Sequence, residues 1–272
     1  MPPLETHALA REMLSAYTTG AVVAPPSTRD PAFDLNAAYA VEAEYAALCR
    51  RDGRTTAGLK VGYANKAVWR VLKLDSLVWA HMYDDTVHYA GSGRAEITLP
   101  YDRSTKIEPE IVFRLAQPVP AGAAPAVVLQ HVDWLAIGFE LIDCPYPDWQ
   151  FKPADFVAGF GLHLALVAGQ PLAVGQNAIP ELIDRLASFR VRVSKNVEFV
   201  EEGSGRNSLR SPALCLAELA AALPRQPGGS PLGAGDLVST GTLTAGHPVA
   251  RGETWSVEVE GLPLSSLSVR VS

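Results

Sequence analysis

The sequence predicts an α+β fold: a helical N-terminal segment followed by a strand-rich body. Three observations carry this expectation. Long helical periodicity is confined to the first 53 residues. Beyond them Val, Ile, Phe and Thr fill short runs that Gly or Pro punctuates. No regular strand–helix–strand alternation runs through the body, so a doubly wound sheet is not expected.

In chain order, Leu4 to Tyr17 and Leu35 to Arg51 read as two helices. Asp34 is a plausible cap for the second, because a short side-chain oxygen can accept from a free N–H of the first turn, and Gly53 is its stop. Between them, TTGAVVAPPSTRDPAFD is rich in Pro, Ala and Thr and reads as an extended link. The expected division is a helical segment over 1–53 and a body over 54–272. Strands are expected at TTAGLKVGY, AEITLP, KIEPEIVFRLA, WLAIGFELI, FRVRVSKNVEFV, DLVSTGTL, ETWSVEVEGL and SLSVRVS. Shorter helices are expected at NKAVWRVLKL, around APAVVLQHV and at SPALCLAELAAALPR, where Ser211 can cap and Pro212 fits the first turn. QPGGSPLGAGD reads as an exposed turn before the last strands.

Composition removes several classes of function. With 272 residues, 48% hydrophobic and 19% charged, the chain can bury a core without a disulfide scaffold. Its 23 basic and 29 acidic residues leave a formal charge of −6, so neither nucleic acid nor an anionic membrane is an expected partner. Cys49, Cys144 and Cys215 stand far apart with no C-x-x-C pair, which fits a reducing cytoplasm better than a disulfide framework or a thiolate zinc site. MPPLETHALAREML carries charges where a signal peptide needs an apolar run, and no segment reaches the ~18 apolar residues of a spanning helix. The glycines at 203–205 are not followed by the helix that a dinucleotide fingerprint requires.

The chemically odd residues are carboxylates. In KIEPEIVFRLA, Glu108 and Glu110 lie two apart and point to one strand face, where two anions repel unless something positive lies between them. Pro109 between them has no N–H to give a ladder, which suits an edge, a bulge or a strand start. In WLAIGFELIDCPYPDW, Glu140 and Asp143 interrupt an apolar run, although burying an ion costs roughly several kcal/mol. Two readings stand. The pair at 108 and 110 is either a solvated face or a partner for Lys106 or Arg103, or these carboxylates form an oxygen-only donor set for a hard ion such as Mg²⁺ or Mn²⁺. Lys60, flanked by Leu59 and Val61, is likewise either a snorkelling surface lysine or, beside a metal, a proton carrier of lowered pKa.

Taken together, G-x-K-V-G at Gly58 to Gly62, MYDDTV, the E-P-E strand and FELID at Phe139 to Asp143 form an ordered series. The series continues through G-x-G-x-x-x-L-x-x-P at Gly203 to Pro212, AGDLVSTGTL at Ala234 to Leu243, and VEGLPLSSLSVRV. Over nearly its whole length the chain resembles the fumarylacetoacetate hydrolase superfamily, in the hydratase and decarboxylase branch that acts on 2-oxo acids. The resemblance implies a mixed β-roll, with Glu108, Glu110 and Glu140 as ligands of Mg²⁺ or Mn²⁺ and Lys60 as the catalytic lysine. It also implies that Asp85, or its neighbour Asp84, is an acid near the substrate and that Ser239, Thr240 and Gly241 hold the substrate carboxylate.

The implied activity adds water to a 2-hydroxy-2,4-dienoate or 2-oxo-4-enoate to give a 4-hydroxy-2-oxo acid, in aromatic-compound catabolism, by a cytoplasmic homo-oligomer. The main rival is decarboxylation of a 2-oxo diacid of the 4-oxalocrotonate type, which calls for a cation at the distal end from among Arg70, Lys152 and Arg206. Weaker rivals are a C–C bond hydrolase, which needs a Glu–His pair with His81 as a distant candidate, and a non-catalytic binding subunit. One departure from the branch follows Asp155. FVAGFGLHLAL replaces a polar stretch that faces the substrate, and Gly159, Phe160 and Gly161 bring no side-chain hydrogen bonds. Phe160 and His163 are therefore the expected pocket residues there, His163 either compensating or serving as a satisfied core histidine.

Overall fold

The computed structural model describes residues 5–272, so the Leu4 start expected for the first helix lies outside them. The N-terminal segment forms α1 (Thr6–Thr19), one short turn α2 (Pro26–Arg29) and α3 (Leu35–Arg51). Asp34 caps α3 by accepting from the Ala37 N–H at 2.9 Å. The link is not wholly extended. Pro26 sets the first helical φ of α2, and Ser27 donates both its N–H and its hydroxyl to Asp155, each at 2.7 Å.

The body begins with β1 (Thr56–Gly62), α4 (Lys66–Leu72), β2 (Val78–Tyr83), β3 (Val87–Tyr89), β4 (Arg94–Ile97) and β5 (Thr105–Leu115). It continues with α5 (Pro125–Gln130), β6 (Val132–Asp143), α6 (Pro153–Ala158), β7 (His163–Ala168), β8 (Leu172–Ala173) and α7 (Ile179–Ser188). The last part holds the hairpin β9 (Arg190–Lys195) and β10 (Glu198–Ser204), then α8 (Pro212–Ala222), β11 (Leu237–Ser239), β12 (His247–Pro248), β13 (Thr254–Glu260) and β14 (Leu267–Val271). Neither α6 nor α7 was legible as a helix. Every residue of α6 is buried, so it shows no amphipathic stripe, whereas Ile179, Leu182 and Leu186 of α7 do recur at helical spacing. Ser211 occupies the cap position of α8, but its buried hydroxyl makes no hydrogen bond there.

Two mixed sheets result, as an α+β fold requires. The larger runs β2-β1-β11-β5-β6-β7-β3, with β12 beside β5 and β8 beside β6, and the smaller runs β10-β9-β13-β14-β4. Parallel pairs join β1 to β11, β3 to β7 and β14 to β4, and the other neighbours are antiparallel. β5 and β6 are nearly continuous apolar runs because helices and loops cover both their faces. Leu9, Met13, Tyr39 and Tyr45 of the N-terminal helices belong to the same apolar cluster as Ile111 and Phe139, so the change of pattern near Gly53 does not interrupt the packing.

The β5–β6 register brings Glu108 directly opposite Glu140. β5 is an interior strand, which differs from the edge or bulge that Pro109 suggests. The proline fits because β11 leaves β5 after Ser239 and β12 joins it only at His247. The loop between them faces the glutamates, and its Leu243 N–H donates to the Pro109 carbonyl at 2.8 Å.

Candidate metal centre

Glu108, Glu110 and Glu140 each offer a carboxylate oxygen, and these oxygens lie within 4.8 Å of one another. Glu110 has one oxygen tied and one free, and Glu140 has one tied and one met only by an ammonium. Glu110 Oε2 accepts from the Ser239 hydroxyl at 2.5 Å and the Gly241 N–H at 2.8 Å, while its Oε1 is buried without a hydrogen bond. Glu140 Oε1 faces His163 Nδ1 at 2.8 Å. Its Oε2 is 2.9 Å from the Lys60 ammonium, a charge contact whose angles leave that oxygen without a hydrogen bond. Buried oxygens without partners are costly, so this arrangement of oxygen-only donors fits a hard divalent cation.

The electrostatics agree. Burial pushes the Glu108 carboxyl up to about 7, with the Lys60 charge opposing and Glu140 adding repulsion, even though Glu108 keeps some contact with the pocket solvent. Burial, then the Glu140 charge, hold Glu110 well above the usual carboxylate range. Burial also acts on Glu140, but the Lys60 ammonium and His163 outweigh it and hold it below that range. Lys60 is buried with only 2% exposure, and the three glutamates outweigh its desolvation and raise its pKa. That is opposite in sign to the lowering expected beside a bound metal, whose charge would offset the carboxylates. Lys60 is thus an interior ammonium, not a snorkelling one, and it also donates to the Gly161 carbonyl at 2.9 Å.

The cluster opens into a cavity of about 740 Å³, and Lys60, Glu108 and Glu110 are among its lining residues. Tyr63, Trp149, Leu162, Leu209 and Arg210, all held at positive φ, form part of its wall. Such strained non-glycine backbone persists only where the surroundings over-determine it, and it gathers at ligand sites. Lys66, Lys106, Arg206 and Arg210 give the wall a cationic character. Thr242, Thr244, Asn65 and Asn207 add neutral polar groups. Sequence reasoning passed over most of these, although Thr242 and Thr244 directly follow the Ser239 to Gly241 segment.

Several expected site residues stand elsewhere. Asp85 is exposed and paired with Arg54, while Asp84 caps Thr55 through its N–H and hydroxyl, and neither lines the cavity. Both sit in the exposed turn after β2. Ser239 is spent on Glu110, and Thr240 donates its N–H and hydroxyl to the Ile111 carbonyl, so only Gly241 of that segment reaches the cavity. Phe160 does not line the cavity but stacks on Tyr45 of α3, filling the space between that helix and the sheet. His163 is buried behind Glu140 and takes no part in the cavity wall. Asp143 is neutralised by Arg103, which leaves it outside the cluster. Arg70 and Lys152 are absent from the cavity lining, whereas Arg206 is present. His81 does form a Glu–His pair, with Glu42 at 2.6 Å, again away from the cavity.

Comparison with known proteins agrees with this geometry. Residues 81–271 match the model of the fumarylacetoacetate (FAA) hydrolase C-terminal family. The chain is 25% identical over 258 residues to a 2-hydroxyhexa-2,4-dienoate hydratase of Comamonas testosteroni, covering 94% of each chain. It is 27% identical over 265 residues to a 2-keto-4-pentenoate hydratase of Paraburkholderia xenovorans, covering 96% of this chain and 94% of that one. Among solved structures, it superposes with a TM-score of 0.87 and 26% identity on 4-oxalocrotonate decarboxylase from Pseudomonas putida G7, complexed with magnesium and adipate. That superposition covers 98% of this chain and 97% of the other.

Proposed function

This chain belongs to the fumarylacetoacetate hydrolase family, and from that premise we propose that it is a divalent-metal-dependent lyase, a hydratase of 2-hydroxy-2,4-dienoates or 2-oxo-4-enoates that yields a 4-hydroxy-2-oxo acid. The observation that carries the reading is the joint placement, in the three-glutamate cluster beside the cavity, of a Glu110 oxygen without a partner and a Glu140 oxygen met only by the Lys60 ammonium. Glu108, Glu110 and Glu140 would hold Mg²⁺ or Mn²⁺. When bound, the ion supplies Lewis-acid polarisation of the substrate's 2-oxo group.

The chain's own residues supply the rest. Ser239 and the Gly241 N–H fix Glu110, so that its other oxygen faces the shared centre. Lys60, held by the Gly161 carbonyl and Glu140, would deliver a proton to C5 as the dienol ketonises and assist the proton transfers as water adds at C4. The cationic wall draws in an anionic acid, and the apolar side chains of Phe156, Ile142 and Leu162 limit the water that enters with it. Asp85, the second proton carrier implied by resemblance, has no support from its position beside Arg54.

A second reading, decarboxylation of a 2-oxo diacid, is favoured by Arg206 and Arg210 in the cavity wall and by the likeness to a decarboxylase bound to adipate, a linear dicarboxylate. Incubation with Mg²⁺ and either a 2-hydroxydienoate or a 2-oxo diacid separates the two. Loss of the conjugated chromophore without CO₂ supports the hydratase, and stoichiometric CO₂ from the diacid supports the decarboxylase. Failure of both substrates to react overturns the lyase reading. No helix among the described residues is long and apolar enough to cross a membrane. Three free cysteines support a cytoplasmic location. A homo-oligomer is proposed from the resemblance to the branch alone.

A further inference from the structure

His163 lies in the segment that departs from the resembled branch, and the proposed chemistry gives it no task. It is buried with 3% exposure, yet both ring nitrogens have polar partners. Nδ1 is 2.8 Å from Glu140 Oε1, and Nε2 is 3.0 Å from Thr86 Oγ1. Thr86 is itself fixed by Tyr83, whose N–H donates to its hydroxyl at 3.2 Å and whose carbonyl lies 2.9 Å from it, so the one hydroxyl proton is shared between that carbonyl and Nε2 of a neutral ring. A register shift in the β6–β7 ladder at Leu141 and Ile142, where His163 pairs with Ile142, re-aims the ring. Leu162 and Gly161, just before it, are at positive φ.

We propose that His163 is a positioning residue that holds Glu140 as a one-oxygen metal ligand, with Thr86 orienting the ring. The inference rests on the metal reading above. An ionised carboxylate only accepts, so Nδ1 must carry the proton that meets Oε1. With Oε1 occupied, Oε2 alone is left to the shared centre, as Oε1 alone is left on Glu110. Groups that orient a ligand in this way typically change metal affinity about 10–100-fold when removed.

The test is calorimetric titration of Mg²⁺ into chelator-treated protein, without substrate. An asparagine amide nitrogen overlays Nδ1 of histidine, and a glutamine amide nitrogen overlays Nε2. His163→Leu should weaken Mg²⁺ binding about 10–100-fold. His163→Asn should recover most of the loss, His163→Gln should not, and Thr86→Val should show a smaller loss than His163→Leu. A packing role alone would not distinguish Asn from Gln. The proposal is overturned if folded His163→Leu binds Mg²⁺ within about twofold of the unmodified protein, a gap far below the range for such groups. If His163→Leu does not fold, Asn against Gln decides, and equal affinities overturn the proposal. Absence of Mg²⁺ binding by the unmodified protein, with Glu108→Gln no different, would instead overturn the metal reading and this inference with it.

Discussion

Lys60 Nζ lies 2.9 Å from Glu140 Oε2, although the two residues come from β1 and β6, with β11 and β5 between them in the sheet. Two long side chains therefore meet over the intervening strands. The ammonium meets the Glu140 oxygen that a cation would take, so Lys60 and a divalent ion compete for the same negative charge.

That competition separates binding from turnover. Lys60→Met should lower turnover by about 10²–10⁴-fold, the range for loss of a general acid–base group. Mg²⁺ affinity should stay the same or rise, because a positive charge next to the ligands has gone. Calorimetry and steady-state rates on the same preparation check both halves. A loss of Mg²⁺ affinity would mean that Lys60 organises the ligands instead of competing for them.

Stability should respond to pH through the carboxylates. Glu108, pushed up to about 7 by burial, binds a proton in the folded metal-free protein at pH values where the unfolded chain does not. Stability from this group is therefore full below the unfolded carboxylate pKa and is lost as pH rises through about 7. Glu110, raised further, acts in the same direction. His88, whose pKa burial and then the His163 charge push down, acts in the opposite direction as its proton is lost. The informative quantity is thus the difference in melting temperature with and without Mg²⁺, which should grow from pH 5.5 to 8. The bound ion favours the ionised carboxylates at each pH. A difference that shrinks across that range would contradict the assignment of the protons to this cluster.

Much of the fold was legible because its signals are local. The helical periodicity of α3, its Asp34 cap and the continuous apolar runs of β5 and β6 need no knowledge of distant residues. The three glutamates were legible for the same reason, as charges in runs that should be buried. The residues that hold them were not assigned that role. Ser239 and Gly241 reach Glu110 only because β11 pairs with β5, and His163 reaches Glu140 only through an irregular ladder. The pairing of Asp85 with Arg54 was not legible for the complementary reason: the two are 31 residues apart, and nothing in the sequence shows that contact. Phe160 reads as a pocket residue until Tyr45 is seen stacked against it.

Gly161 is required by geometry. It sits at φ +66°, and a Cβ there would lie 2.7 Å from Lys60 Cδ and 3.0 Å from the Ala80 Cβ. Lys60 is buried and bound at its tip, so it has little room to yield. Gly161→Ala should cost about 1–3 kcal/mol of stability. Turnover should fall more than the loss of folded protein explains, because the ammonium is displaced. Thermal melts with rates normalised to folded protein test this, and an unchanged rate per folded molecule would show that the Lys60 position tolerates the shift.

The cationic wall should set substrate preference. If Arg206 and Arg210 meet a distal carboxylate, the double change to alanine should raise KM for a 2-oxo diacid by about tenfold or more, as loss of a charge-assisted contact implies. KM for a 2-oxo monoacid should change far less. Equal changes for both acids would mean that the arginines attract anions in general and do not read the distal end.

Metal dependence with a named ligand tests the central claim most directly. Turnover of a 2-hydroxydienoate should vanish on EDTA treatment, return with Mg²⁺ or Mn²⁺, and be lost together with Mg²⁺ binding in Glu108→Gln, whose carboxylate belongs to the three-glutamate cluster. Full turnover in the EDTA-treated protein, or a Glu108→Gln variant that keeps both binding and turnover, would contradict it.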